Sequence, residues 1–383
     1  MSPSHSRHSP TALSDDDIVN VFLRSPPEDP ARLVCASLVC KDWRRILTGP
    51  EFCRLYREFH RTPPMIGLFV SSWGPHDMGV ISRFIPTTSI RLSVSAGFDY
   101  YPLNWRFVDS RHGRILVGIV DDYVHHRGYI VWDPITNRRW GVPPPAIDPV
   151  SWTAAVLCAK ENCDHQGCHG QPFLIAMVFY SVEIMSACVY SSESGVWSDI
   201  INLDYCAEFE WSGGSALVRN TLHFPFVAGG NVLQYKFREQ KLSVIELPNK
   251  NWDEDDVPSV FISAEDDVLV FAGMDYRRAR LSLWSTKAGA VAWTKRSVID
   301  LKKLLPPRAF EPIPRAPQPE YHLPEICGFA QGLLFLTTMA GLFTVELNSC
   351  RTKKVAEVER AYSVIPWISF YTPDHARLMM PQP

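Results

Sequence analysis

The segment CAKENCDHQGCHG, residues 158–170, concentrates side chains that could bind a metal ion. Within a dozen positions it holds three cysteines and two histidines: Cys158, Cys163, His165, Cys168 and His169. Zn²⁺ prefers thiolate and imidazole ligands. The spacing, however, lacks two separated Cys-x2-Cys pairs, and a loop between strands can carry Cys and His without a metal. We interpret the segment as an ordinary loop and expect no metal and no cofactor, with zinc at these five residues as the alternative.

Sequence motifs for catalysis are missing from the chain. A GxSxG nucleophile elbow, a GxxxxGK[ST] phosphate loop, a GxGxxG dinucleotide fingerprint and an HExxH zinc motif do not occur. We therefore expect a non-catalytic protein without catalytic residues. An enzyme or small-molecule binder whose site is assembled from loops distant in sequence is the alternative.

The composition is that of an ordinary globular protein. The 383 residues are 46% hydrophobic and 21% charged, with a formal net charge of -3. The chain has no excess of basic residues that would indicate binding to nucleic acid. It also has no run of about 18 to 20 apolar residues that would indicate a membrane helix. The ten cysteines are scattered, which favours a reducing compartment, the cytoplasm and/or the nucleus. Residues 1–12, rich in Ser, His and Pro, predict a disordered tail.

Residues 13–61 predict a small helical domain. Ser14 and Asp17 have the spacing of a capping box, residues 26–27 are prolines that end the first helix, and Asp29 followed by Pro30 can begin the next. A domain of roughly 50 residues buries only about 60% of its unfolded surface, so part of the apolar surface requires a partner. Apolar residues recur at helical spacing: Ile18, Val19, Phe22, Leu23, Leu33, Val34, Leu38, Val39, Trp43, Ile46 and Leu47.

These helices resemble the F-box. The resemblance rests on the sequence segments DPARL (residues 29–33), SLVCKDWRRIL (37–47) and GPEF (49–52). The resemblance implies docking to a Skp-type adaptor and, through it, to a cullin. Ser14, Asp17 and Ser25 depart from the usual F-box pattern, which predicts reduced adaptor affinity. The adaptor-binding residues that the resemblance implies are Leu13, Ile18, Val19, Phe22, Leu33, Leu38, Val39, Cys40 and Trp43.

After residue 64 the helical period gives way to short apolar runs separated by Gly, Asp, Asn and Pro, which predict strands. A unit of about three strands recurs at intervals of roughly 50 residues, which suits propeller blades. We predict an all-β domain, a β-propeller of five to seven blades, with a pair of β-sandwiches as the alternative. The five copies span residues 113–145, 173–200, 219–248, 266–299 and 332–358, and residues 65–94 supply or complete a sixth.

Taken together, the chain resembles plant F-box proteins with a C-terminal F-box-associated β-propeller-like domain, here residues 65–375. The resemblance implies a substrate-recognition adaptor of a Skp-cullin-F-box ubiquitin ligase, whose propeller binds a target protein that the sequence does not identify. Two alternatives stay open. The helices could be a structural cap on a propeller enzyme or small-molecule binder, or the F-box could act outside a ligase.

Overall fold

The computed structural model describes most of the chain. The described residues are 14–73, 80–88, 105–121, 125–147, 149–161, 163, 165, 167–168, 170–181, 184–205, 214–225, 231–247, 260–265, 267–275, 278–287, 292–311, 324–358 and 360–374. The predicted tail, residues 1–12, lies outside them.

Four helices occupy the N-terminal part: α1 Asp15–Leu23, α2 Ala31–Ser37, α3 Lys41–Leu47 and α4 Pro50–His60. The predicted capping box is present. Ser14 Oγ accepts from the Asp17 N–H at 3.2 Å, and the Asp17 carboxylate accepts from the Ser14 N–H at 3.2 Å. Both capping residues thereby satisfy N–H groups that a helix start otherwise leaves unpaired. None of the described helices is long and apolar enough to cross a membrane.

The predicted cap of α2 is wrong. Pro30 occupies the N-cap position without a side-chain hydrogen bond, and the Asp29 carboxylate instead accepts from Arg32 Nε at 3.0 Å. A second break follows at Cys40, whose Sγ accepts from the Trp43 N–H at 3.4 Å and begins α3. The apolar spacing runs through this break, so periodicity alone did not separate α2 from α3.

Six antiparallel sheets follow the helices, which confirms the predicted β-propeller and gives it six blades. Five blades are built from consecutive strands. The first is β3 Trp105–Arg111, β4 Arg114–Asp121, β5 His125–Asp133 and β6 Arg138–Val142; the second is β7 Ser151–Cys158, β8 Phe173–Ser181, β9 Ile184–Ser191 and β10 Val196–Trp197, with β11 Ile201–Leu203 also paired to β9. The other three are β12 Ala216–Val218, β13 Thr221–Pro225, β14 Asn231–Lys236 and β15 Lys241–Glu246; β16 Val260–Glu265, β17 Val268–Asp275, β18 Arg280–Lys287 and β19 Thr294–Asp300; and β20 Glu325–Ala330, β21 Leu333–Thr338, β22 Gly341–Glu346 and β23 Thr352–Ala356.

The sixth blade closes the ring with strands from both ends of the chain. Its order is β2 Val80–Pro86, β1 Met65–Trp73 and β24 Ala361–Ile368. The C-terminal strand β24 pairs with β1 along its length, from Met65 opposite Ile368 to Ser72 opposite Ala361. Closure removes the unpaired sheet edges that an open array would expose.

The apolar core lies between neighbouring blades. Adjacent blades meet through a strand at one edge of each sheet, since β3 contacts β7 and β24, and β20 contacts β16 and β24. Six clusters of buried apolar residues each join two neighbouring sheets. Each of the five repeats predicted from sequence omitted the first strand of its blade. The predicted copies begin at the turn after that strand, so they cover only the strands that follow it.

Candidate functional site

The break between α2 and α3 exposes an apolar surface on the helical domain. Leu38 is 54% exposed and Val39 is 66% exposed, and Cys40 beside them is also exposed. Val21 on α1, 58% exposed, is a further apolar side chain in solvent. We call Val21, Leu38, Val39 and Cys40 the exposed apolar set. The adjacent Leu38 and Val39 form the part of this set where exposed apolar side chains are contiguous in the chain, which is where a partner surface is expected.

Three predicted adaptor-binding residues are half-buried. The rings of Phe22 and Trp43 meet edge to face with centroids 5.0 Å apart, and Val19 packs against the same helical core. These side chains join α1 to α3 and keep part of their surface accessible.

Two other predicted adaptor-binding residues are buried. Leu33 is fully buried with Phe52, Tyr56 and Phe370, and Ile18 is 6% exposed. In this conformation Leu33 offers no surface to a partner and its contacts are internal. Leu13, the remaining predicted residue, lies outside the described residues.

Sequence reasoning missed Val21 and Phe370. Val21 stands three positions after the buried Ile18, so helical spacing predicts burial for it and no sequence signal indicated its exposure. Phe370 follows the last strand and is distant in sequence from the helices that it contacts, so no local pattern identified it.

The helical domain is fixed to one face of the propeller. Helix α4 contacts Phe370 through Tyr56, whose hydroxyl also donates to the Ser25 carbonyl at 2.8 Å. In the β20–β21 turn, Gln331 Nε2 donates to the Pro63 carbonyl at 2.9 Å. The helices therefore cover the face that carries the turns between first and second strands.

The opposite propeller face carries the turns between second and third strands. Val150 is 69% exposed and Ile184 is 42% exposed on the β7–β10 blade, and the Val150 N–H donates to the Tyr180 carbonyl at 3.0 Å. These two residues lie at the strand ends remote from the helices, so their exposed side chains are accessible to a second partner.

A buried ion pair on β3 contacts two further blades. Asp109 on β3 pairs with Arg111 and accepts from the Val156 N–H of β7 at 2.8 Å, while Arg111 Nη2 lies 3.0 Å from Ser215 Oγ beside β12. Burial raises the pKa of Asp109, and Arg111 opposes that rise. The pair joins three blades, which is a structural role.

The predicted metal-ligand candidates converge in the β7–β8 loop. The ligand atoms of Cys158, Cys163, His165 and Cys168 all lie within 4.8 Å of one another. Cys158 and Cys168 are buried, whereas His165 is exposed. His169, the fifth candidate, lies outside the described residues. Our interpretation of an ordinary loop did not anticipate this convergence, because the intervening residues must fold back to produce it.

Comparison with known proteins identifies both parts of the chain. A family model described as "F-box protein AT5G49610-like, beta-propeller" matches residues 106–373, and the F-box domain model matches residues 11–55. The curated "F-box protein At5g03970" of Arabidopsis thaliana is 24% identical over 302 residues. That match covers 74% of this chain and 66% of the relative, just under two thirds of its length.

Solved structures with a similar arrangement include two bacterial proteins. The periplasmic gluconolactonase PpgL of Pseudomonas aeruginosa is 11% identical, with a TM-score of 0.39 over 80% of this chain and 100% of that chain. AztD of Citrobacter koseri is 12% identical, with a TM-score of 0.39 over 78% of this chain and 88% of that chain. The family match spans most of the chain and agrees with its helices and blades, so this protein belongs to the AT5G49610-like F-box proteins with a β-propeller domain.

Proposed function

We propose that this protein is a substrate receptor of a Skp-cullin-F-box ubiquitin ligase. An F-box joined to a propeller fits a substrate-recognition subunit, and F-box proteins are generally non-catalytic adaptors. In this proposal the helices dock a Skp-type adaptor, which connects to a cullin, and the propeller holds a target protein.

The exposed apolar set carries the proposal. Leu38 and Val39 lie in solvent, whereas α4 and Leu33 are occupied by contacts with each other and with Phe370. The helical domain thus divides its apolar surface between the propeller and a surface free for the adaptor. Burial of a Leu or Val side chain contributes about 1.5–3 kcal/mol, so two such residues can supply a substantial part of an interface.

The exposed Val150 and Ile184 support target binding away from the adaptor. The helices cover the turns between first and second strands, and Val150 and Ile184 lie exposed at the other ends of their strands. A target held there would not compete with the adaptor for surface.

The proposed mechanism requires no acid, base or nucleophile from this chain. A receptor fixed to the ligase raises the effective concentration of target lysines near the conjugating enzyme. The contact of Tyr56 in α4 with Phe370 supports this role, since a fixed connection restricts the positions that a bound target can occupy.

Co-purification with a Skp-type adaptor tests the adaptor surface. Wild-type protein is expected to retain the adaptor, and Leu38→Asp with Val39→Asp is expected to lose it by at least about tenfold, since two charges would enter an apolar interface. Both residues are exposed, so the substitutions leave the core intact. Ile18→Asp would be unsuitable because Ile18 is buried.

Val196→Asp is the matched control, because Val196 is 60% exposed on the propeller strand β10. It should retain the adaptor. Absence of adaptor binding by wild-type protein, or equal retention by the double variant, would contradict the proposed docking surface. Adaptor binding without any ubiquitinated target, with proximity labelling performed with and without proteasome inhibition, would instead indicate an F-box protein acting outside a ligase.

The proposal also includes the cytoplasm and/or nucleus as the working compartment, since the described cysteines are free thiols. The Arabidopsis relative supports a plant source. We propose no nucleic-acid or membrane partner.

A further inference from the structure

We propose that the β7–β8 loop binds one structural Zn²⁺ ion through Cys158, Cys163, His165 and Cys168. Three sulfur atoms and one imidazole nitrogen come within 4.8 Å of one another. Tetrahedral zinc with bonds of about 2.0–2.3 Å places neighbouring ligand atoms about 3.7 Å apart. The ligand atoms therefore need to approach one another by about 1 Å or less to bind the ion.

The frame of the loop holds the first ligand in place. Cys158 is the last residue of β7 and pairs with Phe173, the first residue of β8. Immediately beyond, the Ala159 N–H donates to the Pro172 carbonyl at 3.1 Å. The strands thus fix both ends of the loop. Four residues lie between Cys158 and Cys163, and zinc-binding Cys pairs typically have two to about four residues between them.

The fourth ligand is held by an unusual backbone position and by a neighbouring ring. His165 has a φ of 60°, a left-handed conformation that His adopts more readily than most residues. Its ring lies on His112 of the β3–β4 turn, with centroids 3.9 Å apart. These contacts restrict the imidazole near the three sulfur atoms.

The charge of the surroundings suits the metal complex. Zn²⁺ with three thiolates and a neutral imidazole carries a net charge of about -1. The guanidinium of Arg114 is buried, and its Nη2 donates to the Cys168 carbonyl at 2.6 Å. Nε and Nη1 of Arg114 have no hydrogen-bond partner among the described residues. A buried cation beside Cys168 would offset the negative charge of the complex.

The ion would lie where the helical domain meets the propeller. A Cβ added to Gly167 would be 2.7 Å from Nη1 of Arg57, so the Arg57 side chain of α4 reaches the loop. His112 and His165 also line a cavity of about 380 Å³ with Arg61 and Phe370. A structural ion here would stiffen the surface on which α4 rests.

The chemistry of the ligands selects zinc among the common metals. Thiolate and imidazole ligands in tetrahedral geometry suit Zn²⁺, whereas Mg²⁺ and Ca²⁺ require oxygen ligands. The described set supplies all four ligands from the protein, which is typical of a structural zinc site and leaves no open position for catalysis.

Metal analysis of the full-length protein, purified without chelator, tests the proposal. We expect about one zinc per chain in wild-type protein. Cys163→Ser with Cys168→Ser should reduce the zinc content by at least about tenfold, because two of four ligands are lost. Cys350→Ser, at an exposed cysteine in another blade, is the matched control and should keep zinc. Wild-type protein that is folded, has been offered zinc and contains less than about 0.1 zinc per chain would overturn the proposal.

Cobalt substitution provides a spectroscopic readout of the metal coordination that starts from the wild-type protein. Co²⁺ added to wild-type protein from which the zinc has been removed should give the intense visible bands of tetrahedral coordination together with thiolate charge transfer. His165→Ala should weaken those bands, while His169→Ala should keep them. The reverse result would overturn the assignment of His165. A Cys158–Cys168 or Cys158–Cys163 disulfide in the native protein, detected by mass spectrometry, would overturn the site itself, as would stoichiometric copper in place of zinc.

Discussion

The ring of Tyr56 in helix α4 meets the ring of Phe370 edge to face, with centroids 6.2 Å apart and an interplanar angle of 76°. Phe370 is 3% exposed and belongs to the same apolar cluster as Leu33 and Leu47. A residue from the far end of the chain therefore completes the core of the N-terminal helices.

Replacing Phe370 should detach the helical domain. We expect Phe370→Ala to lower the free energy of unfolding by about 3 kcal/mol, since a buried aromatic ring leaves a cavity. Urea unfolding followed by tryptophan fluorescence measures the loss. Phe59→Ala removes a ring that is 56% exposed on the same helix and should change the free energy by no more than about 0.5 kcal/mol. Equal losses in the two variants would contradict the role of Phe370.

Gly328 sets the distance between two blades at the point of ring closure. A Cβ at Gly328 would lie 2.6 Å from the Val364 carbonyl oxygen of β24, a backbone atom that cannot move aside cheaply. We expect Gly328→Ala to cost about 1–3 kcal/mol of unfolding free energy, because β20 and β24 must separate. Gly141→Ala in β6 is the control, since nothing lies within 4 Å of its added Cβ. Thermal unfolding of both variants measures the two losses of stability. A Gly328→Ala variant as stable as wild-type protein would contradict the close approach of Gly328 to the Val364 carbonyl.

The central ion pair should show strong coupling. Arg111→Met leaves the Asp109 carboxylate buried without its cation, which we expect to cost about 3–5 kcal/mol. Asp109→Asn with Arg111→Met removes both charges and should cost less than Arg111→Met alone. A double-mutant cycle by urea unfolding measures the coupling. Additive losses from the two single variants would show that the residues act independently.

His223 should make stability depend on pH. It is 2% exposed, and burial lowers its pKa from 6.5 to about 4. Between these values the unfolded chain binds a proton that the folded chain does not, so stability is complete above pH 6.5 and decreases as the pH falls toward 4. The contribution of one such proton approaches about 1.4 kcal/mol per pH unit.

We expect His223→Gln to have a shallower dependence of unfolding free energy on pH between 6.5 and 4 than wild-type protein. Urea unfolding at a series of pH values measures that slope. Above pH 7 the two slopes should agree, which serves as the internal control. An identical slope in both proteins at acidic pH would show that His223 is protonated in the folded state.

The sequence predicted the features that depend on neighbouring residues. The capping box of Ser14 and Asp17 requires only three residues of spacing, and the strand repeats require only alternation and turns. These local signals were sufficient for helices, blades and the approximate blade number.

Features that depend on distant residues were not predictable. The pairing of β24 with β1 joins the two ends of the chain, and Leu33 is buried because Phe370 covers it. The α2–α3 break exposes Leu38 and Val39. Their apolar spacing is the same as that of buried residues nearby, so the sequence pattern could not show that these two are exposed. The folding of the β7–β8 loop decides whether its Cys and His side chains meet, and spacing alone could not indicate that outcome.

The closure of the ring by β24 also sets an order of events during synthesis. The ribosome makes the helices before the blades, and β24 and Phe370 emerge after all the other strands of the propeller. Until then β1 lacks its C-terminal partner strand, and Leu33 and Tyr56 lack the ring that covers them. A chain cut before β24 would therefore carry an open array of blades and an incomplete helical core, so the residues up to Phe370 are needed to hold the two domains in their mature arrangement.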